Sequence, residues 1–291
     1  HSFLAVRSLI VIGTCIMVYS ILVVTHAYMF YTILASIHRT PLSKGNAINT
    51  FCKTNLYKYL PGNVFHYIGR NQIAIDEQIS HSIVLTATIM DTSLLIISAV
   101  AVAFAFAGHY ALIWFMHISY GHWLCTITIL LTAAGILAIM LHRFRKTINT
   151  PIAEVKRMAP QVAFKLIGVY MVVFIVNGLI LSWVLDITGV NISPKTFVFM
   201  IIGMYALSWV IGFVTPGAPA GLGVREAVMS LFLTGFARTD LVVTAVVVTR
   251  IITTLGDVMG FLIARRFWLP TNRERRLDLR DEGCNHCHYG S

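Results

Sequence analysis

Ionisable residues are scarce in this chain. Charged side chains make up 12% of its 291 residues, and Asp and Glu together number 12. A soluble domain carries about 25–35% Lys, Arg, Glu and Asp on its surface, so this shortage excludes one. Cysteine is sparse too, with five in all. Cys15, Cys52 and Cys125 lie in or beside apolar segments and read as small core residues; only Cys284 and Cys287 are spaced for chemistry. No nucleotide-binding loop, zinc-protease helix motif or Ser-His-Asp set is present, so nothing here hydrolyses ATP. What is abundant is apolar: 57% of residues are hydrophobic and mean hydropathy is +0.77. Several apolar runs reach about 20 residues, enough to cross the hydrocarbon core as helices. The expected class is all-α, a polytopic helical membrane protein.

Spans are expected at about residues 9 to 37, 82 to 107, 121 to 141, 164 to 185, 197 to 213 and 241 to 264. The 22 Lys and Arg report topology before anything else, because basic residues collect in cytoplasmic loops. Residues 38 to 80 and 142 to 165 are basic, whereas 108 to 120 hold no Lys or Arg and are expected to form an outer loop. Six arginines from Arg265 to Arg280 place the C-terminus on the cytoplasmic side; the expected location is a bacterial or archaeal inner or plasma membrane. Parity then requires one more crossing between residues 214 and 240, giving about seven spans. It also leaves the first span starting outside, so a further helix is expected upstream of His1. Residues 1–268 form the transmembrane domain and 269–291 a polar tail.

The missing crossing falls on SWVIGFVTPGAPAGLGVREAVMSLFLTGF, which is broken at Pro216 and Gly217, and again around Gly221 and Gly223. Broken helices at membrane depth are tolerated only where backbone is buried in protein or lines a wet cavity. The resuming half-helix would point free N–H groups, a positive dipole end and Arg225 into that cavity, which suits an anion. An earlier stretch, FCKTNLYKYLPGNVFHYIGR, echoes it: Pro61-Gly62 then Gly69-Arg70, with Arg nine residues after Pro in both. Two such re-entrant or broken segments, one per half, suggest an inverted repeat in which both dip into the membrane and meet. Each precedes a span with intramembrane charge, Asp91 in the first and Arg250 with Asp257 in the second. Arg250 and Asp257, seven residues apart, share a helix face; Asp91 or Glu226 is the expected neutraliser of Arg250. Lys58, Tyr57, Asn63 and His66 are candidate headgroup donors, with His66 the group able to titrate near neutrality. His26, in the first span, reads as a packed residue.

PGAPAGLGVREAVMSLFL and KYLPGNVFHYIGR resemble the lysylphosphatidylglycerol synthase transmembrane-region family, also called flippase-like domain proteins, over most of residues 9 to 268. The resemblance implies about eight helices with re-entrant segments and the handling of anionic lipids or lipid-linked sugars. Arg225 and Glu226 carry the family signature, with Arg70 and Arg250 in matching basic positions. Ala218-Pro219-Ala220 departs from the usual Gly-rich turn. Ala87 to Met90 replace an acidic-Arg pair before Asp91, so a reduced first-half charge network is expected. The family's aminoacyl-transferase domain is missing, and lipid aminoacylation is not supported.

The expectation is therefore a flippase or flippase-like transporter for a phosphate-bearing lipid or lipid-linked glycan precursor, without cofactor or nucleic acid. Two rivals stand beside it: a membrane enzyme modifying a lipid headgroup with Glu226 or His66 as general base, and a scaffold anchoring a glycosyltransferase through the basic loop 142 to 163. The tail matches C-x-x-C-H at Cys284, Cys287 and His288, but haem attachment needs an exported compartment. With His286 the same residues are weak zinc candidates.

Overall fold

The computed structural model describes residues 2–38, 42–60, 65–116, 158–190, 195–215, 219–233 and 237–268. No strand occurs among the described residues, as the all-α expectation requires. The expected span at 121–141, most of the basic loop 142–163, the tail with Cys284, Cys287 and His288, and Pro61, Gly62, Asn63, Pro216 and Gly217 lie outside the described residues.

In chain order the helices are α1 Ser2–Ile37, α2 Lys44–Asn55, α3 Phe65–Arg70, α4 Gln72–Asp76, α5 His81–Met116, α6 Pro160–Ile187, α7 Lys195–Val214, α8 Val224–Leu233 and α9 Thr239–Phe267. Single 3-10 turns at Leu56–Tyr59 and Pro219–Gly221 follow α2 and precede α8. Five of these helices, α1, α5, α6, α7 and α9, are long and apolar enough to cross a membrane. One boundary differs from expectation. Residues 108–116, expected in an outer loop, continue α5, because HYALIWFM offers neither Pro nor charge to stop an apolar helix.

Buried polar residues and exposed aliphatic ones share the last long helix. On α9 the buried face carries Thr249, Thr253, Gly256, Asp257 and Gly260, while Val247, Ile251, Leu255, Val258 and Leu262 are exposed. Both sets recur every three to four residues, so the buried face gathers the polar and small residues together with Val242, Val246 and Ile252, while the exposed face of the central turns is aliphatic. In a membrane this is the favourable arrangement: aliphatic side chains meet lipid and polar ones find partners inside.

Between the long helices sit the two broken stretches. The first is stapled at its ends: Ser43 caps α2 by accepting from the Asn46 amide at 3.2 Å. Glu77, beyond α4, accepts from the Ser43 amide at 3.0 Å and the Asn46 side chain at 2.8 Å. This closes residues 43–77 into a loop-like unit whose start and end are tied together. The 3-10 turn of that unit touches the 3-10 turn at Pro219–Gly221, so the two broken stretches meet.

α9 packs closely on α1 beside the site. Gly256 and Gly260, four residues apart, face α1; a Cβ added to Gly256 would lie 2.5 Å from Tyr19 Cδ1, and one added to Gly260 would lie 3.0 Å from Val23 Cβ. Small residues at this spacing let two helix backbones approach. Gly260→Leu is expected to push α9 off α1 and to cost about 1–3 kcal/mol, the usual range for overpacking. Thermal unfolding of the purified protein in detergent checks this, and an unchanged midpoint would count against the close packing.

Candidate functional site

Carboxylates buried among apolar helices have to be paired, because desolvating a lone charge costs far more than a helix contact returns. Asp91 on α5 is 1% exposed and is met from three sides. Arg70 Nη1, from α3, donates at 3.0 Å. His26 Nε2, from α1, lies 3.2 and 3.3 Å from the two carboxylate oxygens, and the Tyr170 hydroxyl of α6 donates to Oδ1. Arg70 is in turn wedged among aromatic rings, 4.1 Å from the centroid of Phe51 and 5.0 Å from that of Phe30. The reduced first-half network expected from the residues preceding Asp91 is therefore corrected. The partners come from other helices, and the packed role expected of His26 becomes a polar one as well.

Asp257 on α9, fully buried, forms the second cluster. Lys58 Nζ stands 2.7 Å away, Asn55 Nδ2 donates at 2.8 Å, and the Tyr59 hydroxyl completes the shell. All three come from the first broken stretch, at the end of α2 and in the turn after it.

In the third cluster Arg250 joins α9 to the second broken stretch. Its Nη2 donates to the Ala220 carbonyl at 3.0 Å, and its Nε lies 3.4 Å from Glu226 Oε1 in a charge contact. Of the two neutralisers expected for Arg250, Glu226 is the one in place. The carbonyl that Arg250 holds belongs to a strained turn: Ala220 has φ +50, followed by Gly221 at +70 and Gly223 at +82. A non-glycine residue in the left-handed region persists where its surroundings hold it, and Arg250 is that restraint. Gly221 and Gly223 are thus true break positions. Gly69 is not: it lies inside α3, where a Cβ would lie 2.9 Å from both Thr54 Cγ2 and Tyr57 Cδ2. Tyr57, expected as a headgroup donor, spends its ring on that contact.

Arg225 is placed differently from the other cations. Its guanidinium lies 5.3 Å from the ring centroid of Trp209; its buried Nε lacks a hydrogen-bond partner among the described residues, as do those of Arg70 and Arg250, but unlike those two it has no carboxylate in ion-pair contact among them. Two glycines make its slot. A Cβ on Gly221 would lie 2.7 Å from Arg225 Nε, and one on Gly212 would overlap Arg225 Cγ.

These clusters surround one cavity of about 160 Å³, open on one side and lined by Lys58, His66, Arg70, Asp91, Arg225, Arg250 and Asp257. Glu226 lines the smaller pocket beside it. The sequence-predicted ionic residues are thus brought together, and the structure adds His26, Tyr170, Asn55, Tyr59 and Trp209. His66 corrects an expectation. Burial, with help from the Arg70 and Lys58 charges, pushes its imidazole down to about 3, so it stays neutral where it was expected to titrate. Its Nδ1 is buried without a hydrogen-bond partner among the described residues.

Charge bookkeeping decides what the cavity can hold. Arg70 with Asp91, Lys58 with Asp257 and Arg250 with Glu226 each sum to zero. With the His26 imidazole beside Asp91 neutral, Arg225 is left over, so among the described residues the site carries one surplus positive charge. No family model, curated protein or solved structure matches this chain. Asp91→Asn is expected to leave Arg70 buried without its counter-charge and to destabilise the protein by about 3–5 kcal/mol. Adding Arg70→Gln should recover much of that loss. Chemical denaturation of the two single variants and the double variant measures the coupling, and strict additivity would show the pair to be dispensable.

Proposed function

We propose that the chain is a transporter, a flippase or flippase-like protein that moves an anionic, phosphate-bearing lipid or lipid-linked glycan precursor across the membrane. The observation that carries this reading is Arg225. A guanidinium is costly to bury, and here it is housed in a slot kept clear by two glycines, facing a cavity whose other charges cancel. Such a group is suited to a phosphate oxygen arriving from outside the protein. The start of α8 lies beside it and presents the positive end of its dipole to the same anion.

Size supports the headgroup end of a lipid as the guest. A cavity near 160 Å³ is close to the roughly 150 Å³ that holds a benzene ring. It accommodates a phosphate and its immediate substituents while acyl or prenyl chains stay in lipid. In this reading the two touching broken stretches are re-entrant, dipping into the bilayer from the two halves of an inverted repeat, and rocking of the halves alternates access. The C-terminus is cytoplasmic by the excess of basic residues after α9. The resemblance to the lysylphosphatidylglycerol synthase transmembrane-region family points the same way.

Headgroup accessibility in proteoliposomes tests the reading. With labelled phospholipids and polyprenyl-phosphate sugars and a quencher on one side, wild type is expected to speed exchange. Arg225→Gln should cut the rate at least about tenfold, the loss expected when one charge-assisted contact worth about 1.5–3 kcal/mol disappears. Gly212→Ala keeps the charge but fills its slot and should give a similar defect. Chemically modified lipid without exchange would instead mark an enzyme.

A further inference from the structure

After the three ion pairs cancel, one imidazole of α1 still faces the cavity. His26 lies in the C-terminal half of α1, lines the cavity and has its side chain 21% exposed. It is held by three contacts: Nε2 against both oxygens of Asp91, an edge-on approach to Tyr170 at 5.4 Å, and Phe51 at 4.9 Å. Because a carboxylate only accepts, the Nε2 that faces it carries the proton, which leaves the Nδ1 lone pair available. No partner for Nδ1 is seen among the described residues. The groups that face His26 from neighbouring elements cannot take over this role. Arg70 from α3 and Arg225 and Arg250 from α8 and α9 stay cationic. Asp91 from α5 is saturated by its donors, and Lys58 and Asp257 form a pair whose sum is zero wherever its proton sits. The tyrosines 19, 59, 67, 170 and 205 ordinarily titrate near 10, and His66 on α3 stays neutral.

We propose that His26 is a proton-binding site coupled to the anion site. The imidazole takes a proton from water at Nδ1 when a monoanionic phosphate headgroup enters the cavity, and it returns the proton when the headgroup leaves. This inference rests on the anionic-headgroup reading above. The charge argument is direct: the empty cavity carries one surplus positive charge, and an anion together with a proton leaves that surplus unchanged. The fold therefore keeps the charge it is built to hold. By linkage, a headgroup that favours the imidazolium must bind more tightly as that imidazolium forms. A proton that enters and leaves with the headgroup would let a pH gradient drive transport.

Binding of a short-chain phosphatidylglycerol, a phosphodiester of constant charge between pH 5 and pH 8, tests this with the purified full chain. Calorimetry in two buffers of different ionisation enthalpy gives the protons taken up per headgroup bound. If headgroup binding and imidazolium formation favour each other about tenfold, wild type takes up a fraction of a proton per headgroup bound at pH 7. Its affinity is then about tenfold tighter at low pH than at high pH. In His26→Gln the uptake falls to zero and the pH profile becomes flat. Binding by wild type without proton uptake overturns the coupling and leaves the anion site standing, as does equal uptake by the variant. Absence of any binding by wild type overturns the anion reading and this inference with it. The wild-type measurement decides the matter even if the variant fails to fold.

Discussion

The structure depends on the need to pair charge in an apolar bundle. Asp91 and Asp257 are buried on helices whose outer faces are aliphatic, and neither carboxylate could remain there as an ion without donors supplied by other elements. The donors come largely from one place. Within the first broken stretch Lys58 reaches Asp257 and Arg70 reaches Asp91, so a single unit of chain is clasped between α5 and α9 by two ion pairs. Its own ends are tied by Glu77. The short helices of this unit are thereby held against α5 and α9.

The second broken stretch is held differently. Its turn contains Ala220 in the left-handed region, and Arg250 reaches across from α9 to hold the Ala220 carbonyl while its charge faces Glu226. That arrangement frees Arg225, the neighbour of Glu226, from any carboxylate. A guanidinium stacked near Trp209 and flanked by two glycines keeps its shape but retains unspent hydrogen-bonding capacity. The cavity is therefore a set of cancelled charges around one that is not cancelled. That asymmetry gives it a chemical preference for an anion.

Much of this was legible in the residues. Long apolar runs located α1, α5, α6, α7 and α9, and the Pro and Gly interruptions located the breaks at Gly221 and Gly223. The ionic residues were also found, because a charge inside an apolar run stands out against its neighbours. His26 and Tyr170 were not legible as partners of Asp91. Each is an ordinary amphipathic residue in its own helix, and its role appears only where three helices converge. Gly69 was mistaken for a break because a glycine that admits a neighbouring ring looks the same in sequence as one that turns the chain. His66 was expected to titrate near neutrality because sequence shows the residue type and not the burial and cationic surroundings that hold it neutral.

Composition and periodicity by themselves determined that the chain is helical, that its long helices suit a membrane, and which ionisable residues must find partners. These properties depend on residue type and spacing along one helix, which are local. Which cation meets which carboxylate was decided by tertiary structure alone. Arg70 could have paired with Asp257, or Arg250 with Asp91, without any change in the apolar pattern. Only the close approach of α1 to α9 and the contact between the two broken stretches selected the actual pairs, because a charge contact is made across space and carries no signature along the chain.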